Sequence, residues 1–101
     1  MRKAADILFL ITTFSIRANF IEKATTYGKA AHTLFPGDPR IAEVYAFALL
    51  LKADFQAAED LLTSWSEPTQ NMAYLRCRTA ILLNLPAEER RKRIESYLAF
   101  P

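Results

Sequence analysis

The side chains that most often carry catalysis are scarce here: one histidine and one cysteine among 101 residues. His32 stands between Ala31 and Thr33 with no second ligand or acidic partner at a fixed spacing, so it reads as a surface or boundary residue rather than a base or a metal ligand. Cys77 has no base at a fixed spacing and reads as a small apolar contact, not a nucleophile. Gly28 and Gly37 do not form a phosphate-cradling loop. Glu43, Asp54, Glu59 and Asp60 are scattered over polar faces and helix starts, where the macrodipole already accounts for them. Arg90-Arg91-Lys92-Arg93 could meet RNA or membrane phosphates. It follows Glu88 and Glu89, however, on a helix whose buried side would be Ile94, Tyr97 and Leu98, which makes it a solvated face. The sequence therefore predicts no enzyme: no catalytic, metal or cofactor site.

What must position these residues is a small helical domain. A chain of 101 residues is one domain, 1–101, near the lower limit for burying an adequate core. With 51% apolar and 12% aromatic residues, more apolar surface is present than so thin a fold can hide, and a partner is the natural place for the remainder. A net charge of +2 argues against nucleic acid, whose binding domains concentrate Lys and Arg on one face. One cysteine excludes an internal disulfide framework and fits a reducing compartment. Arg2 and Lys3 before the apolar run Ile7 to Phe14 resemble the opening of a secretory signal. Asp6, Thr12 and Thr13 interrupt that pattern, and the run is shorter than the roughly 20 residues a bilayer requires. The reading is a cytoplasmic protein without membrane insertion.

Helix punctuation divides the chain into six. The first helix covers about Lys3 to Ile16, and Asn19 with Glu22 forms a capping box for the second, which runs to about Leu34. Gly37 supplies a left-handed stop, and Asp38-Pro39 restarts the chain as N-cap and first helical residue. The third helix extends to about Lys52, Asp54 caps a fourth to about Trp65, Thr69 or Asn71 opens a fifth, and Pro86 takes the first position of a sixth. No segment alternates with a period of two, so the fold class is all-α.

A faint period of 34 residues links these helices in pairs. Small residues fall at Thr12, Ala46 and Ala80 in the first helix of each pair, and at Ala24 and Ala58 in the second, while Lys92 breaks the series. Pro36 closes the first unit. This resembles the tetratricopeptide repeat, with units at about 5–38, 39–72 and 73–101, the last degenerate or acting as a cap. In such repeats the first helix of each pair lines a concave face. The register places Phe9 and Ile16, then Phe47, Leu50 and Leu51, then Tyr74, Cys77, Ile81 and Leu85 on that face. An apolar groove of this kind suits an amphipathic helix laid in by its hydrophobic stripe.

The order Ile7 to Ile16, Asn19-Phe20-Ile21-Glu22-Lys23-Ala24, Ala46 to Ala58 through Lys52-Ala53-Asp54-Phe55, and Tyr74-Leu75-Arg76-Cys77 to Leu85-Pro86-Ala87-Glu88 is similar to the small tetratricopeptide chaperones of bacterial type III secretion. The similarity spans about Ala5 to Ala99, rests on spacing and residue class, and is greatest to the needle-subunit co-chaperones of the YscG/PscG type. It implies three tetratricopeptide-like units, pairing with a second, smaller helical chaperone, and an apolar concave groove holding the C-terminal amphipathic helix of the needle protein. Carried over, the groove is Phe47, Leu50, Leu51, Tyr74, Cys77 and Ile81, with Phe9 and Ile16 nearer the small chaperone. The YscY-type chaperones of another exported component have the same repeats. Two other readings differ in class. A general tetratricopeptide scaffold would be stable alone, and a nucleic-acid-binding helical domain would lose its ligand steeply with salt. The chaperone reading expects self-association when partners are absent.

Overall fold

The computed structural model describes residues 2–101, with side chains from Lys3 onward; Met1 of the expected domain lies outside them. Six helices follow one another: α1 (Arg2–Arg17), α2 (Ile21–Leu34), α3 (Pro39–Leu51), α4 (Phe55–Thr63), α5 (Gln70–Leu82) and α6 (Ala87–Leu98). Among the described residues there is no strand, and no helix is long and apolar enough to cross a membrane. The fold is all-α.

Each helix packs on the next, and α3 also packs on α1 and on α5, so the odd-numbered helices lie side by side in one layer. The stack measures 40 × 26 × 20 Å, longer in one direction than a globule of this size would be. Its core is built from small residues. Ala24, Ala31, Ala42, Ala46, Ala48, Ala58 and Ala80 are fully buried or nearly so, and Ile41, Leu62 and Met72 are the bulkiest apolar side chains with no exposure. Alanine lets helices approach closely but buries little area, so most large apolar side chains stay outside. Gly28 shows how close the approach is: a Cβ there would lie 2.8 Å from Tyr45 Cδ1 and 3.3 Å from its Cα.

The odd-numbered helices end alike. Asn19, Ala53 and Asn84 adopt left-handed conformations (φ 64°, 66° and 53°). The next N–H after each reaches back to Ser15, Leu49 and Ala80, which is the six-to-one bond of a Schellman stop. This corrects the assignment of Asn19. It terminates α1, Phe20 occupies the N-cap of α2 without a side-chain bond, and the Glu22 carboxylate instead pairs with Lys52 at 3.5 Å. Gly37 does not supply a left-handed stop either, since no glycine has positive φ; Phe35 to Asp38 close as a turn instead. The Asp38 carboxylate accepts from the Arg40 N–H with Pro39 first in the helix, Asp54 accepts from the Ala57 N–H, and Thr69 from the Met72 N–H. Pro86 is the N-cap of α6, one residue earlier than the sequence places it.

The stops also correct the period. Asn19 to Ala53 is 34 residues, but Ala53 to Asn84 is 31, and α3 and α5 begin 31 apart. α4 has only 9 residues where α2 has 14. The boundary expected at 72/73 therefore falls inside α5, and the counterpart of Ala46 is Cys77 rather than Ala80.

The candidate groove and the open ends of the stack

Three of the residues placed on the concave face converge. Phe9, Phe47 and Tyr74, one from each odd-numbered helix, line a shallow cavity of ≈ 350 Å³ together with Val44 and Leu75, which sequence reasoning omitted. The charged groups beside the cavity are engaged with one another, while the buried Thr13 hydroxyl at its wall has no partner among the described residues. Arg40 lies over the Phe9 ring at 5.1 Å and donates to Asp6 at 2.7 Å, while Glu43 accepts from Thr69 and from Asn71 at 2.9 Å. These bonds leave an apolar floor and few free polar groups at its edge.

The remaining residues of the expected groove separate. Leu50 is buried in the core with Ala46, Leu62 and Met72. Leu51 and Ile81 are exposed, Ile16 is half-buried near the end of α1, and Leu85 lies in the loop beyond α5. Cys77 faces α6, where its thiol donates to the Arg93 carbonyl at 3.3 Å, and burial raises its pKa. His32 sits beside the Tyr45 ring, 5.9 Å between centroids.

Arg93 overturns the reading of the basic cluster as a uniformly solvated face. Its guanidinium binds Glu59 of α4 and Glu89 of its own helix, and donates to the Arg76 carbonyl and Thr79 hydroxyl of α5. The bonds to Glu59 raise the Arg93 pKa, and Arg93 in turn lowers that of Glu59. Arg76 donates to the Leu62 and Trp65 carbonyls, capping the end of α4. Polar bonds thus hold the third unit. α6 buries no residue, and Ile94 and Leu98, expected inside, are exposed.

A second exposed apolar surface was not anticipated as a site. On α1, Ile7, Leu10, Ile11 and Phe14 follow a helical i, i+3, i+4, i+7 spacing and all face solvent, with Leu10 62% and Phe14 70% exposed. Phe20, the N-cap of α2, and Tyr27 of α2 complete this surface, and Lys23 lies over the Phe20 ring at 5.2 Å. The signal was present in the sequence, because the buried residues of α1 (Ala5, Thr12, Ser15) are small while Ile7, Leu10, Ile11 and Phe14 recur on another side at helical spacing. No family profile, curated protein or solved structure matches this chain.

Proposed function

We propose that this chain is a type III secretion chaperone that holds the amphipathic helix of a needle subunit, in concert with a second, smaller helical chaperone. The observation that carries the reading is the presence of two separate apolar surfaces on one small chain: the concave floor of Phe9, Val44, Phe47, Tyr74 and Leu75, and the outer face of α1 and α2. Two surfaces of different shape suit two partners. The concave floor takes the needle helix by its apolar stripe, and the α1/α2 face takes the smaller chaperone.

The action is physical and needs no bond chemistry. A subunit made to polymerise carries an exposed apolar helix face, and covering that face removes the drive to assemble. Each large side chain buried contributes about 1.5–3 kcal/mol, so a few anchors outweigh the roughly 2–5 kcal/mol needed to order a disordered segment. The bonds among Arg40, Asp6, Glu43 and Asn71 support an apolar rather than a charged ligand, because those polar groups are already engaged.

Co-expression with candidate needle subunits and small helical partners, followed by light scattering, tests this. The expected result is a defined heterodimer or heterotrimer, with Tyr74→Glu losing the needle helix alone. A chain that ignores every such partner would point to a general interaction scaffold instead.

A further inference from the structure

The two ends of the stack carry the residues that its interior uses to join one unit to the next. Within the stack, Ile41 of α3 is fully buried against the α1/α2 pair, in a cluster with Ala5 and Ala31. Thirty-four residues earlier stands Ile7, and the same offset relates Phe14 to buried Ala48. On the other side, Leu62 of α4 is buried with Met72 and Leu75 of α5. Counted from the starts of α4 and α6, at Phe55 and Ala87, its counterpart is Ile94, which is exposed, and Leu98 one turn on is 71% exposed. Terminal units of a repeat stack normally present polar outer faces. The α1/α2 end does not, and the α6 end, though rich in charge, leaves Ile94 and Leu98 exposed.

We infer that the free chain associates head to tail with a second copy of itself, the α1/α2 face of one molecule stacking on the α5/α6 face of the next. The contact continues the unit-to-unit interface already present twice within each molecule. Charge favours this pairing over a face-to-face one. The α1/α2 end presents Lys3, Arg17 and Lys23, none in an ion pair among the described residues, while its acids are engaged elsewhere: Asp6 by Arg40 and Glu22 by Lys52. Two such ends would set cation against cation. α6 instead mixes signs, with Glu88 and Glu95 paired to Arg91 beside Arg90 and Lys92, so it opposes the cationic end less than a second α1/α2 end would. A head-to-tail contact does not close on itself, so growth is open-ended. The inference stands whatever the concave floor binds. Where the smaller chaperone covers α1/α2, it also ends the stack.

Phe14→Asp and Leu98→Asp test this, since both positions are exposed and each substitution should leave helix content unchanged by circular dichroism. Light scattering on wild type should show a mass that climbs with concentration beyond a dimer. Each variant alone should stay monomeric, and an equimolar mixture should form a one-to-one complex of about twice the 11.5 kDa chain mass, because each variant retains one intact face. Should wild type precipitate, the mixing experiment still decides. A Leu98→Asp dimer as tight as the mixed complex would mean face-to-face pairing through α1 and overturn the inference. So would a mixture that stays monomeric, or a wild type monomeric at all concentrations.

Discussion

Arg93 and Glu59 approach to 2.5 Å across 34 residues of sequence, with side chains only 12% and 13% exposed, and they tie α6 to α4 although those helices do not pack on one another. Acid should weaken this tie. The bond to Arg93 lowers the Glu59 pKa, so its stabilisation is fully present above the unfolded carboxylate value, about 4.3, and is lost as pH falls through the lower folded value. Thermal unfolding followed by circular dichroism should show Tm falling on acidification, and falling less in Glu59→Gln, which has no carboxylate to protonate.

Replacing Arg93 by Met leaves Glu59 without its cation and removes one of the donors to the Arg76 carbonyl. Breaking a buried pair costs about 3–5 kcal/mol, and the residual exposure of both groups places this case at the lower end. Urea unfolding would measure it, with Arg93→Lys recovering only part because ammonium cannot make the two-pronged contact.

Gly28→Ala should destabilise. In an open helix the change gains about 1 kcal/mol. Here the added methyl meets the Tyr45 ring at 2.8 Å, closer than a Cβ tolerates, with the Tyr45 Cα tight behind it at 3.3 Å, and overpacking costs about 1–3 kcal/mol. The sign of the shift in the urea midpoint is the test.

Ala53→Gly should act the other way. Ala53 holds φ 66° at the end of α3, a conformation that costs an L-residue about 1–2 kcal/mol and glycine almost nothing. Higher Tm is the expected outcome, by an amount near the lower value because glycine is also freer when unfolded.

Leu50→Asp and Ile81→Asp, nominally one groove, should part company. Leu50 is in the core, so its substitution loses helix content, whereas Ile81 is 59% exposed and its substitution keeps it. Circular dichroism distinguishes them before any partner is added.

Helix number and class were legible because Asp38-Pro39, Asp54 and Thr69 each cap as their chemistry dictates. The period misled for a physical reason. Residues three apart share a helix face, so a slip of three leaves small residues inward: Ala80 is as buried as Ala46, although Cys77 is its true counterpart. Asn19 was ambiguous because asparagine serves both as an N-cap and as a left-handed stop. Of the expected groove, Phe9, Phe47 and Tyr74 came together. Leu50 did not, since an almost wholly apolar α3 cannot say which of its sides meets solvent. Arg93 was hidden inside a run of like residues, and only the position of Glu59 in the fold singles it out.

The alanine-rich interior has a consequence for how much of this protein a cell can keep. A chain whose bulky side chains lie mostly outside its core would, once the proposed partner covers them, be stabilised by mass action, as RT ln(1 + [L]/Kd). That is about 2.7 kcal/mol when whatever covers α1 and α2 is present at a hundred times Kd. Its steady-state level would then follow the supply of that companion, and molecules made in excess would be the first substrates of the cell's proteases.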